Sequence, residues 1–196
     1  MKPLLVLAAF PVVLMGWASC SHSGTGHAAL PDPRAVDKSV PEYKNPFHPS
    51  TYAHFVARKD YRKTYDVYKD DTLLNRQPKK SRKIFVCLDE QRGQYLVDGL
   101  VAMDFPLSSG VKAYPTKTGD YAVISKKEDH ASNLYGKMYD AEGKCINYNA
   151  ESTDPIPEGG RFDGSPMPYW QRLTNAGLGL HVGKVRRHPV SHGCVR

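Results

Sequence analysis

The sequence predicts a mainly β fold with a minor helical contribution, and three observations carry that reading. Beyond residue 83 the apolar residues come in short runs or alternate with polar ones, the period of two that strands require, and no long stretch repeats at helical spacing. The runs are separated by clusters of Gly, Pro, Asn and Asp, the residues that turn a chain. Two of the runs are divided only by Asp98-Gly99, a hairpin signal because both positions tolerate positive φ. Composition agrees: of 196 residues, 40% are hydrophobic and 24% charged, which suits one globular domain with room for a core plus a leader.

In chain order, residues 1–20 read as an export signal. Lys2 precedes an uncharged apolar run from Leu4 to Met15, too short to span a bilayer as a mature helix and matching the core of a signal peptide. Ala18-Ser19-Cys20 ends it with small residues before a cysteine, which resembles the bacterial lipobox, although Trp17 stands where Leu is usual. Cys20 is then the lipidation position and the link to a membrane. Ser21 behind it favours the outer membrane of a Gram-negative cell, so the expected location is the periplasm or cell envelope. A plain cleaved signal peptide is the alternative, and it too means export.

Residues 21–80 read as a tether followed by a short aromatic and basic lead-in. Ser, Gly, Pro and His dominate as far as Pro49, without apolar periodicity. From Thr51 to Leu74, the residues Tyr52, Phe55, Val56, Tyr61, Tyr65, Tyr68 and Leu73 are interleaved with Lys, Arg and Asp. Part of this predicts an amphipathic helix, and its tyrosines fit packing better than ligand binding. Pro78 to Lys83 is a solvated boundary, and 81–196 is the main domain. There Ile84–Leu88 predicts a strand, Glu90–Gly93 a turn, Gln94–Val97 the returning strand and Leu100–Pro106 a third. After the loop Tyr114–Gly119, Asp120–Ile124 predicts another strand. Asn133–Arg161, rich in Gly, Pro, Asn and Asp, predicts a surface excursion holding a short hairpin, and Leu178–Val182 a strand that delivers His181.

Net charge is +7, but Lys and Arg are scattered and no aromatic-spaced RNA motif appears, so nucleic acid is not an expected partner. An anionic wall or membrane surface is the simpler counterpart. The chain has four cysteines. With Cys20 and Cys194 given other roles, Cys87 and Cys145 remain; export permits a bridge between them, while in an apolar run such as that around Cys87 a buried free thiol is the commoner outcome. The phosphate-cradling glycine motifs are absent and nothing implies an organic cofactor.

The chemistry concentrates at the end of the chain, in Ser191-His192-Gly193-Cys194-Val195-Arg196 and, upstream, Leu180-His181-Val182-Gly183. A thiol, two imidazoles and two glycines in so short a stretch can perform acyl transfer. The thiolate attacks a carbonyl, an imidazole manages the proton, and backbone N–H groups hold the oxyanion. A free thiol near pKa ~8.5 needs a basic neighbour, and His181 is the candidate. Gly193 and Cys194 offer oxyanion donors, Ser191 can bond an imidazole, and Arg196 can tie down the loop or meet a carboxylate. His188 falls outside this pattern. By residue type His181, His188, His192 and Cys194 could also ligate zinc, but their spacing fits no standard zinc site, so no metal is expected.

These residues resemble the bacterial L,D-transpeptidase catalytic domain, whose signature is an upstream His followed by Ser/Thr-His-Gly-Cys, an aliphatic residue and Arg. Pro115-Thr116-Lys117-Thr118-Gly119-Asp120-Tyr121, Ser132-Asn133-Leu134-Tyr135-Gly136, Met167-Pro168-Tyr169-Trp170 and the Gln91-Arg92 before Gly93 resemble further family segments, in family order. The likeness covers about Lys83 to Arg196. It implies a β-sandwich or barrel-like domain with Cys194 as nucleophile, His181 as base and His192 orienting substrate or sharing the proton work. Tyr169 and Trp170 are then groove wall or core. The expected partners are peptidoglycan stem peptides as donor and acceptor, with a carbapenem as covalent inhibitor. The implied reaction forms 3→3 cross-links from tetrapeptide stems. Water as acceptor would make the same site an L,D-carboxypeptidase, and a lipoprotein lysine a protein-to-wall anchoring enzyme. A non-catalytic wall-binding lipoprotein is the reading from another class. Family members usually continue past the closing Arg, so the resemblance also implies a C-terminal end that is missing here, with some loss of stability and activity.

Overall fold

The structure, a computed structural model, describes residues 32–78 and 81–196. The leader with Cys20 and the first part of the tether lie outside the described residues. Two short helices, α1 (Tyr52–Ala57) and α2 (Asp71–Leu74), accompany ten strands: β1 (Tyr68–Lys69), β2 (Arg82–Cys87), β3 (Arg92–Val97), β4 (Leu100–Pro106), β5 (Ser125–Lys127), β6 (Ala131–Tyr139), β7 (Cys145–Glu151), β8 (Arg161–Pro166), β9 (Trp170–Arg172) and β10 (Gly179–Leu180). The fold is mainly β, as the sequence predicts. Each helix starts on a side-chain cap. Thr51 accepts the His54 N–H and Asp70 the Leu73 N–H, satisfying donors that a helix start leaves open.

The strands form three antiparallel sheets, ordered β1-β4-β3-β2, β10-β9-β5 and β7-β6-β8. In the first, Asp98 (φ 52) and Gly99 (φ 87) make the expected tight turn between β3 and β4. The turn before β3 differs from expectation. It ends at Gln91, and Arg92 and Gly93 already pair with Cys87 and Val86. This register gives the first sheet two buried faces. Val86 from β2 joins Leu107, Leu173, Leu180 and Val195 in the main core, with Tyr121 and Val123 packed against it. Fully burying each such aliphatic side chain contributes roughly 1.5–3 kcal/mol.

The opposite face carries charge. Arg92 (2% exposed) and Asp104 (0%) form an ion pair, Nε to Oδ1 at 2.7 Å, beneath the lead-in. The Asp104 carboxylate also accepts the Tyr52 and Tyr61 hydroxyls, each at 2.7 Å. Burial, with Asp104 beside it, pushes the Tyr61 phenol up to about 12, so it stays a donor. Around these groups Phe55, Val56 and Tyr61 form a second apolar cluster. The Lys38 ammonium donates to the Val56 carbonyl and the Tyr43 hydroxyl to the Ala57 carbonyl. The lead-in is thus packed onto the sheet and adds β1 to its edge, against β4.

Three further expectations change. The strand foreseen at Asp120–Ile124 is irregular chain, and pairing starts at Ser125 against β9. The excursion after Asn133 holds the expected hairpin as β6 and β7, and β8, starting at its end, extends it to a three-stranded sheet. Cys145 carries a free thiol, so it does not bridge to Cys87. Among the described residues no helix is long and apolar enough to cross a membrane.

Candidate active site

Two parallel contacts build the site. β10 pairs with β9 on one side, and on the other Leu180 bridges in parallel to Val195. The Val195 N–H donates to the Gly179 carbonyl and the His181 N–H to the Val195 carbonyl, at 3.0 and 3.1 Å. In that register Cys194 lies beside Gly179, and His181 beside Arg196. The strand is shorter than expected, so His181 stands one residue beyond its end, held by this hydrogen bond. Glycine is required at 179, because a Cβ there would overlap the Trp170 ring and sit 2.6 Å from the Gln171 carbonyl oxygen.

The second contact is the Gly110–Ser191 bridge. Residues 108–111 grip both ends of the closing motif: Val190 and Ser191 donate to the Ser109 carbonyl, and Arg196 and Ser108 exchange backbone hydrogen bonds. Gln91 fixes that segment in turn, its amide donating to the Ser109 hydroxyl at 2.7 Å and accepting the Ser109 N–H at 2.9 Å. Thr116 completes the clamp by accepting the Gly110 N–H and donating to the Gly193 carbonyl at 2.6 Å. Within the motif, Ser191 Oγ donates to the Cys194 carbonyl at 2.5 Å and accepts the Gly193 N–H at 3.2 Å. Ser191 therefore locks the loop backbone rather than bonding an imidazole, and it occupies the Gly193 donor. Gly193 has φ 112, a conformation that L side chains rarely adopt.

Cys194, His192 and Ser191 line a groove of about 630 Å³ together with His181 and Arg196. Cys194, His192 and Gly193 also line a second groove of about 530 Å³, walled by Tyr114, Tyr135, His130 and Trp170. The thiol stands where the two meet. His192 is stacked on Tyr135, centroids 4.1 Å apart and planes 12° apart, and Tyr114, itself 6.1 Å from Tyr135, packs against it at 4.7 Å. Trp170 is a buried wall whose ring lies 6.2 Å from that of His181. Tyr169 is 63% exposed and lines neither groove. His188 bonds the Pro189 carbonyl and lies outside both grooves, and among the described residues no three potential metal ligands gather.

Electrostatics set the resting state. Burial pushes the Cys194 thiol up, opposed by a hydrogen bond from the Gly179 backbone and by the Arg196 charge. Burial also pushes His181 down, opposed by its hydrogen bond to the Val182 carbonyl, with Arg196 and His130 adding to the fall. Since a carbonyl can only accept, the 2.9 Å contact from Nδ1 to Val182 fixes the proton on Nδ1 and leaves Nε2 as the base. At neutral pH the pair is therefore thiol and neutral imidazole. Residues that sequence reasoning passed over are Gln91, Ser109, Thr116, Tyr114, Tyr135 and His130. Thr116, Gln91 and Tyr135 sit in segments quoted for the family resemblance, but nothing in their spacing indicates a role.

Comparison with known proteins gives one family and several solved structures of low identity. The YkuD model, the L,D-transpeptidase catalytic domain, matches residues 81–196. Among solved structures, the catalytic domain of the E. faecium L,D-transpeptidase is 27% identical over 59% of this chain and 79% of its own, with a TM-score of 0.40. An L,D-transpeptidase from Stackebrandtia nassauensis is 22% identical over 73% of this chain and 54% of its own, TM-score 0.41. One from Mycobacterium smegmatis is 21% identical over 59% and 49%, TM-score 0.40, so the chain spans about half the length of these last two. A search of curated proteins gave no significant match.

Proposed function

We propose that this chain, which belongs to the L,D-transpeptidase catalytic domain family, is an exported peptidoglycan L,D-transpeptidase forming 3→3 cross-links through a Cys194 acyl-enzyme. The observation that carries this reading is the meeting of two grooves at the Cys194 thiol, with His181 in one and His192 in both. A transferase must bring a donor and an acceptor to one sulfur, and two approaches meet that need.

The Sγ proton passes to Nε2 of His181 as the sulfur adds to the carbonyl carbon between the stem's diamino acid and its terminal D-alanine. Because burial keeps both partners neutral at rest, proton transfer accompanies attack rather than preceding it. The oxyanion is stabilised by the Cys194 backbone N–H, the Gly193 donor being taken by Ser191, and by the Arg196 charge. The C–N bond breaks, the imidazolium protonates the departing D-alanine amine, and a thioester remains. The side-chain amine of a neighbouring stem then gives a proton to His181 and attacks the thioester, restoring the thiol. One amide is broken and one formed, so no external energy source is consumed. Stacking on Tyr135, with the tilted Tyr114 ring packed beside both, keeps His192 at the groove junction, where it orients substrate. Export through the leader and a lipid on Cys20 complete the proposal. Fatty-acid label that persists in Cys20→Ala would remove the anchor.

Muropeptide analysis of wall material rich in tetrapeptide stems, incubated with the protein, tests the reading. Linked stems of the 3→3 type support it. Tripeptides alone would make the protein an L,D-carboxypeptidase, and muropeptides joined to a lipoprotein lysine a wall-anchoring enzyme. The absence of any Cys194-dependent product would leave a non-catalytic wall-binding protein.

A further inference from the structure

The loop between His181 and Ser191 carries the proposed base at one end and the nucleophile's motif at the other. Its ends are fixed by the Val182 N–H on the Pro168 carbonyl and the Val190 N–H on the Ser109 carbonyl. The middle is held from inside the family domain by Ser108 Oγ, which accepts the Arg186 N–H at 2.8 Å, and by Glu90, and from outside it by the lead-in. Arg187 donates to the Thr64 carbonyl at 2.9 Å, to the Glu90 carbonyl at 3.0 Å and to the Arg62 carbonyl. Next to it, the Tyr65 hydroxyl donates to the Arg186 carbonyl at 3.1 Å. Arg62, Thr64 and Tyr65 belong to the lead-in, which precedes the matched residues 81–196.

The anchor point is itself rigid. The Thr64 carbonyl that receives Arg187 also receives the Arg92 guanidinium at 3.0 Å, and Arg92 is paired to Asp104 in the buried network. A continuous chain of contacts thus runs from the core of the first sheet, through residues 62–65, to the active-site loop. Arg187 has φ 55, a conformation uncommon for a non-glycine residue, and such residues persist where the surroundings over-determine them. Here three carbonyl acceptors for one planar guanidinium do so, which a lysine's point charge cannot reproduce.

We propose that Arg187 is a positioning residue for the Cys194–His181 pair, and that lead-in residues 62–65 are part of the active-site scaffold. The proposal rests on the acyl-enzyme reading above. Removing the grip leaves Cys194, His181, the β10 contacts and the Arg186–Ser108 hydrogen bond in place but loosens the loop that joins the pair. Displacement of a reacting group by about an ångström can slow chemistry by up to ~100-fold.

The test uses the full chain with Arg187→Met, Arg187→Lys and Tyr65→Phe, the last removing one exposed hydroxyl. Carbapenem acylation of Cys194 is followed by intact mass over a range of concentrations, at a temperature where circular dichroism shows every variant folded. Arg187→Met should lower the limiting acylation rate by about tenfold at unchanged half-saturation. Arg187→Lys should recover part of it, and Tyr65→Phe should act in the same direction by a smaller factor. A limiting rate equal to wild type in Arg187→Met and Tyr65→Phe, or a loss confined to the fraction of reacting molecules, overturns the proposal. If the wild type itself is not acylated, the acyl-enzyme reading fails separately. The inference is then judged on iodoacetamide alkylation of Cys194 near neutral pH, where at least a threefold change in Arg187→Met supports it and no change overturns it.

Discussion

Replacing Asp104 with Asn should test the buried network most sharply. Asp104 is fully buried and accepts from Arg92, Tyr52 and Tyr61, each at 2.7 Å, with the Gln94 amide at 3.4 Å. Asn keeps the volume but offers one acceptor oxygen in place of two and introduces two donor hydrogens. If its oxygen faces Arg92, the tyrosine hydroxyls meet an N–H₂ and must rotate. If it faces the tyrosines, the Arg92 cation meets a donor. Either way Arg92, 2% exposed, loses its counter-charge and keeps only neutral acceptors, among them the Thr64 and Asp66 carbonyls. Stripping one partner from a buried ion pair costs about 3–5 kcal/mol, and at this burial no solvent screening discounts it. For a domain of this size that lowers Tm by roughly 6–20 °C, taking about 2–4 °C per kcal/mol. Urea unfolding followed by far-UV circular dichroism would measure the loss. A double variant, Arg92→Met with Asp104→Leu, should return most of it, because the cost lies in the orphaned charge. A loss under about 1 kcal/mol in Asp104→Asn would refute the reasoning.

Two other outcomes follow from the site. His181 titrates below its ordinary 6.5, so the unfolded chain takes up a proton that the folded one refuses, and its contribution is present above 6.5 and lost as pH falls. Cys194 titrates above its ordinary 9.0, so its contribution is present below 9.0 and lost as pH rises through the folded value. Thermal unfolding across both values should show His181→Gln flattening the acid limb and Cys194→Ser the alkaline limb; unchanged limbs would contradict the burial of the pair. Gly179→Ala pits a strand-propensity gain of about 0.5–1 kcal/mol against overpacking on Trp170 worth about 1–3 kcal/mol. Overpacking should win, with Tm and acylation rate both falling. An equal or higher Tm would show that Trp170 yields.

The sequence was legible where local pattern and tertiary role coincide. β4 was read at its full length and the Asp98-Gly99 turn correctly, because alternation and turn chemistry both act within a few residues. Asp120–Ile124 misled because Tyr121 and Val123 are apolar for the core, not for a strand, while the paired Ser125–Lys127 are exposed and carry no apolar signal. β6 to β8 were understated for the same reason, since most of their positions face water. Arg92 and Asp104 look like solvated strand residues until the lead-in covers them. Cys194, His181 and His192 could be singled out because their residue types carry the chemistry. Thr116 and Gln91, which hold the motif through backbone atoms 77 and 18 residues away, leave no mark in spacing.

The central claim is that Cys194 is the acylated nucleophile and His181 its base, and intact mass after carbapenem exposure tests it most directly. The wild type should gain one ring-opened carbapenem, and Cys145→Ala should behave like it. Cys194→Ala should gain none, and His181→Ala should react slower by roughly 10²–10⁴-fold, the loss typical of a positioned base. An adduct that persists in Cys194→Ala would contradict the account.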